Sequence, residues 1–234
     1  MGCDIHFYVE KKENGKWVSA DMWTKEEGEK RKSVNYDKRF YTGRNYDLFA
    51  ILADVRNGHG VAGCGTGDGF VPISAPKGLP KDVCTEIKTE AKVWGSDGHS
   101  HSYFTLAELF AYDWTQTTKK RGIVSASEYF DWTQWGAQGE GPESYCGGVG
   151  GPLVQVISKE EMDKKIKALS ISHEKPTWES RKKLIEKNLQ EVYCQVEWKT
   201  SYYAAAECFW SNTIPRLLRL GIPEDVRIVF WFDN

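Results

Sequence analysis

Cys3-Asp4-Ile5-His6-Phe7-Tyr8-Val9 is the stretch on which the reading of this chain turns. On an extended strand, residues two apart share a face, so Asp4 and His6 project together while Ile5, Phe7 and Val9 project to the other side. The second face is apolar throughout and needs a core beneath it. The first carries two ionisable groups, which suit a metal half-site, an acid–base couple or a polar rim. Glu13-Asn14-Gly15-Lys16 comes next, and an Asn-Gly pair ahead of Trp17-Val18-Ser19-Ala20 predicts a tight hairpin.

Far along the chain, Val226-Arg227-Ile228-Val229-Phe230-Trp231-Phe232 is apolar enough for a central strand. Val192–Tyr202 alternates like a strand, and Leu153–Ile157 is a third candidate. Helices are expected from Asn45, a good N-cap, through Arg56, over roughly Asp82–Trp94, from near Thr105, and after Ser158, which forms a capping box with Glu161. Two more are expected over Trp178–Leu189 and Ala204–Leu220, the latter bent or broken by Pro215. Tyr112-Asp113-Trp114-Thr115-Gln116 is echoed by Phe130-Asp131-Trp132-Thr133-Gln134, which reads as two helix ends of similar chemistry. The sum is an α+β fold in a single domain over 1–234. Its sheet is mainly antiparallel with the first and last strands central, flanked by helices and by long Gly-rich loops near 58–80 and 136–151, and an exposed excursion runs near 24–40.

With 234 residues, 40% of them hydrophobic, the chain is long enough to bury a sizeable core. A formal charge of −2 argues against a nucleic-acid polymer as partner, because such binding needs clustered cations to displace counterions. No apolar run suits a bilayer and the start lacks a signal-peptide pattern, so the expected location is the cytoplasm, with no membrane partner. The Met-Gly start is no myristoylation signal, since His6 stands where that motif wants Ser or Thr. The six cysteines form no CxxC pair and are expected as reduced thiols. Homo-oligomerisation is compatible with all of this.

Four of the five histidines, His6, His59, His99 and His101, fall in the first 101 residues. Asp4, His6 and His99 are the candidate catalytic groups, one imidazole taking a proton and another giving one, with a carboxylate fixing a tautomer. A divalent metal ion is the candidate cofactor, with Asp4, His6, Asp97 and His101 as its donors. Arg44 precedes a helix N-terminus and Arg56 follows that helix, positions suited to an anion. His59, Ser100 and Ser102 add polar contacts, and Trp135 and Tyr145 offer rings on which a base could stack. The segments Gly63–Gly69 and Gly147–Gly151 are not dinucleotide fingerprints, since neither follows a strand and opens a helix.

Gly98-His99-Ser100-His101 resembles the Gly-His-x-His signature of calcineurin-like metallophosphoesterases, with Asp4-Ile5-His6 in the place of their Asp-x-His. The missing Gly-Asn-His-Asp/Glu element and missing βαβ alternation argue against membership. A second resemblance covers roughly the first 110 residues and Val229–Asp233. Met1-Gly2-Cys3-Asp4-Ile5-His6, Arg44–Ala50 with Val55-Arg56, Pro76-Lys77-Gly78-Leu79-Pro80, and Trp94 through His99-Ser100 resemble a family of small proteins encoded by phages and some bacteria. That resemblance implies a phage-type accessory protein. By analogy with phage proteins that defeat nucleotide-signalling defences, it implies a small nucleotide ligand, met in the first reading by phosphodiesterase-like hydrolysis in the Asp/His pocket and in the alternative by a non-catalytic sponge that sequesters a cyclic or ADP-ribose-type signal.

Overall fold

The computed structural model describes residues 2–25, 27–28, 31–60, 62–136, 141–170 and 177–233, the side chains of 135, 136 and 170 excepted. The expected hairpin is present: β1 (Asp4–Glu13) turns through Asn14 and Gly15, both at positive φ, into β2 (Lys16–Ser19). The excursion holds a two-stranded ribbon, β3 (Trp23–Thr24) with β4 (Ser33–Val34). Then come α1 (Tyr46–Ala53), α2 (Thr85–Trp94), β5 (His99–Thr105) and α3 (Leu106–Ala111). β6 (Thr117–Ser125), α4 (Ala126–Asp131), β7 (Gln155–Ile157), α5 (Lys159–Ser170), α6 (Trp178–Asn188) and β8 (Val192–Ser201) follow, and β9 (Val226–Asp233) closes the sequence.

Helices and largely antiparallel sheets make this an α+β protein, as expected. Its backbone groups into two compact units. The first holds Met1–Asn57, Phe70–Gln116 and Tyr202–Asn234, and the second holds Gly58–Gly69 and Thr117–Ser201.

The first unit is built on a four-stranded antiparallel sheet in the order β2-β1-β9-β5, so the first and last strands are indeed its centre. β1 and β9 pair from Asp4↔Asp233 to Lys11↔Val226. Opposed residues share a face, so Ile5, Phe7 and Val9 lie with Phe232, Phe230 and Ile228, all buried, against α1 and α3. α1 buries every residue from Leu48 to Ala53. It starts where Asn45 accepts from the Asp47 and Leu48 N–H groups and stops at Asp54 in the left-handed region. On the other face Tyr8, Val229 and Trp231 are covered by Ile87 and Ala91 of α2 and Val34 of β4. Thr105 and Glu108 form the capping box of α3. The helix expected over 204–220 is instead three short pieces: Tyr202–Ala205, a π turn at Phe209–Thr213, and Ile214–Leu218. Pro215 sits in the first turn of the last piece, where its missing N–H costs no bond.

β1 leaves β2 beyond Glu10, and there Asp21 takes over, accepting the Val9 N–H at 2.8 Å. Burial pushes this carboxyl up to about 6 from its usual 3.8, against the opposing pull of that hydrogen bond. A folded-state value above the unfolded one stabilises fully below pH 4 and is lost as pH rises through 6. Asp21 should therefore remove about 1.5–3 kcal/mol of stability between pH 4 and pH 7. Urea denaturation across that range is expected to show this loss in the parent and a flatter profile in Asp21→Asn; equal slopes would refute the assignment.

The second unit has a three-stranded sheet, β6-β8-β7, antiparallel between β6 and β8 and parallel between β7 and β8. Val124, Phe130, Met162, Ile166, Ile185, Cys194 and Val196 form its core. The first glycine-rich segment is anchored on β6. Gly67 adopts φ +145° and bridges to Lys120, and a Cβ there would run into the Lys119 carbonyl. The echoed Asp-Trp-Thr-Gln motifs follow α3 and α4, two short helices capped alike, by Thr105 onto Glu108 N–H and by Ser125 onto Glu128 N–H.

Candidate functional site

The end of the first unit's sheet gathers several of the expected residues, in pairings other than those expected. Asp4 and His6 share a face, but Asp4 does not orient His6. The Asp4 carboxylate is exposed and held in a fork by Arg44, Nε donating to Oδ1 at 2.7 Å and Nη2 to Oδ2 at 2.5 Å. Those hydrogen bonds hold the Asp4 carboxyl below its usual range. The partner of His6 is Asp233, opposite Asp4 on β9, whose Oδ2 lies 3.1 Å from His6 Nε2 while its Oδ1 accepts the Asp4 N–H. His6 is 6% exposed, and burial lowers its pKa in spite of Asp233, so the ring is neutral near pH 7. With Nε2–H directed to Asp233, Nδ1 carries the lone pair, and it is buried without a partner among the described residues.

Trp94, the last residue of α2, lies on the His6 ring with centroids 3.8 Å apart. Trp231, wholly buried on β9, is flanked by two imidazoles, His6 at 5.7 Å and His101 at 5.4 Å, both near-parallel to it. The sheet therefore brings His101, not His99, to the face of His6. His99 pairs with Phe232 and points to the opposite face, where its ring meets Phe232 at 6.1 Å. The cause is a register shift between His99 and Ser102, where Ser100 adopts φ +52°. Asp4, His6 and His99 thus do not converge as a catalytic trio. Ser100 spends its hydroxyl on His99 Nδ1 at 3.0 Å, and Ser102 is fully buried, its Oγ accepting from Lys77 N–H.

The expected metal donors fare no better. Asp97 is exposed, in the turn after Trp94, and its N–H donates to the Trp94 carbonyl. Burial lowers the pKa of His101. Among the described residues no three His, Cys, Asp or Glu side chains group so as to hold a metal ion, which corrects the set Asp4, His6, Asp97 and His101. Arg56 adopts φ +56°, lies 5.9 Å from the Tyr46 ring and is hydrogen-bonded to Cys3; burial raises the Cys3 thiol's pKa against that pull. The Tyr46 hydroxyl accepts the Cys3 N–H. Cys3, Asp4, Arg44, Tyr46, Arg56 and Asp233 therefore form one cluster carrying two cations and two carboxylates.

The remaining candidates belong to the second unit. His59 is exposed and bridges through its backbone to Gly65. Tyr145 packs edge-on against Trp198 at 4.8 Å with Lys120 Nζ 5.2 Å from its ring, so it is part of a packed surface. The Trp135 side chain lies outside the described residues, as does His173.

The sequence reading missed a hollow of about 260 Å³ in the first unit, lined by Trp23, Arg31, Lys32, Thr85, Glu86, Thr89 and Glu90. The signal that could have found it is Trp23 beside a Lys- and Glu-rich stretch. No helix among the described residues is long and apolar enough to cross a membrane. No family model matches the sequence, and neither a curated protein nor a solved structure matches it.

Proposed function

We propose that the chain captures a small nucleotide-type signal without breaking it, as a phage-type anti-defence sponge. The observation that supports this reading is the Arg44 fork on Asp4 beside Arg56. A guanidinium that grips an exposed carboxylate through two parallel bonds presents the geometry a phosphate also satisfies, so a phosphoryl group can take the place of Asp4. The groups that hydrolysis would need are spent elsewhere: His6 is buried against Trp94, and His99 faces away from it. The phage context comes from the N-terminal resemblance alone.

Hydrolysis is the second reading, and one observation favours it. Asp233 fixes the His6 tautomer that leaves a lone pair on Nδ1, the arrangement of a general base and its orienting carboxylate. Incubation with cyclic dinucleotides and ADP-ribose-type compounds, followed by heat denaturation and chromatography of the supernatant, separates the two. Capture returns the ligand intact, and Arg44→Ala is expected to weaken it tenfold or more with the denaturation midpoint unchanged. A new product that disappears in His6→Gln would establish hydrolysis instead. A ligand neither bound nor altered would remove both readings.

A further inference from the structure

The hollow beside α2 is a separate feature with chemistry of its own. Its floor is Trp23, whose indole is fixed before any ligand arrives: Nε1 donates to Ser19 Oγ at 2.8 Å, and Tyr8 stacks on the ring at 5.5 Å with only 12° between planes. Tyr8 in turn stacks on Trp231, so the indole is backed by a continuous aromatic column rooted in the sheet. Trp23 is one of the residues that line the hollow. A pre-oriented aromatic face of this kind suits a flat ring, because stacking then costs little ordering.

The polar groups around it are of two kinds. Glu90 is 8% exposed, and its carboxylate makes one long contact, Oε2 with Arg31 Nη1 at 3.4 Å. A carboxylate this buried favours further donors, such as sugar hydroxyls or an exocyclic amine. Lys32 is exposed at the rim and makes no ion pair among the described residues. Glu86 also lines the rim, so an anion must sit on the Lys32 and Arg31 side. The Thr85 and Thr89 side chains complete the wall, Thr89 already donating to the Thr85 carbonyl.

We propose that this hollow is a binding site for a nucleoside monophosphate: the base stacks on Trp23, hydroxyl or amine donors reach Glu90, and the phosphate lies against Lys32 and Arg31. Its volume is just under the range of about 300–1,000 Å³ common for small-molecule sites, which suits one nucleotide unit and not an extended ligand. The site needs none of Asp4, Arg44 or His6, so it stands independently of the capture reading above.

Titration calorimetry of the full chain with AMP, adenosine and inorganic phosphate tests this. AMP is expected to bind at one site, with adenosine and phosphate each at least tenfold weaker. Trp23→Ala and Lys32→Ala should each weaken AMP tenfold or more, and Trp23→Phe should retain most of the affinity. Circular dichroism and denaturation midpoints identify any variant that fails to fold, and Lys32→Ala, at the exposed rim, keeps the test valid if Trp23→Ala is one of these. The proposal is overturned if AMP does not bind, if phosphate alone binds as well as AMP, or if binding survives both the Trp23 and Lys32 substitutions.

Discussion

Arg227→Met is expected to destabilise the first unit by about 3–5 kcal/mol, the range for leaving one member of a buried ion pair without its partner. Arg227 is 4% exposed on the central strand β9, directly across from Glu10 on β1, which is 0% exposed. Its Nε donates to Glu10 Oε2 at 2.6 Å and its Nη1 to Asp82 at 2.9 Å, while Trp17 and Tyr103 lie 4.1 and 5.8 Å from the guanidinium. Removing the arginine strands the Glu10 charge in the sheet. The double variant Glu10→Leu, Arg227→Met should recover part of the loss, because two apolar side chains then face each other. Recovery stays incomplete, since Glu10 Oε1 also accepts the Cys84 N–H at the start of α2. Chemical denaturation of the single and double variants measures this directly. A single-variant loss below about 1 kcal/mol, or strict additivity, would contradict the buried-pair account.

Trp231→Ala should cost a similar amount, about 3–5 kcal/mol, for a different reason. Trp231 is wholly buried and meets Tyr8, His6 and His101 at once, so its removal opens a cavity in the middle of an aromatic layer. Trp231→Phe keeps a ring in that layer and deletes an indole N–H that is buried without an acceptor among the described residues. Its cost should be less than half that of alanine. Near-UV circular dichroism should report the same ranking, with the aromatic signal of the first unit largely preserved in the phenylalanine variant and reduced in the alanine one. Equal costs for the two variants would mean that the layer is not packed on Trp231.

What the sequence made legible is local. The apolar run of β1, the Asn-Gly turn, the Asn45 cap, the helix start near Thr105 and the apolar run of β9 each carry their signal within a few residues, and each is found where it was expected. β5 was not legible, because a serine in the left-handed region and a register shift interrupt its alternation and disguise a strand as a turn. β6 escaped because its buried positions include Thr118 and Lys120, polar residues that read as surface. The candidate site shows the same division. That Asp4 and His6 share a face follows from strand geometry alone, whereas the partner of His6 is 227 residues away and nothing near either residue announces it. The displacement of His99 to the far face is likewise a product of pairing between distant strands.

The pairing of β1 with β9 has a consequence for how the chain comes into being. Asp4 and its partner Asp233 are 229 positions apart, so at about 5–20 residues per second a ribosome needs on the order of 10–45 seconds to deliver the neighbour β1 requires. Throughout that interval an emerging chain displays Ile5, Phe7 and Val9 on a strand whose edge is still unclaimed. Until translation supplies the closing strand, α1 is the apolar helix of the same unit already available to cover that face.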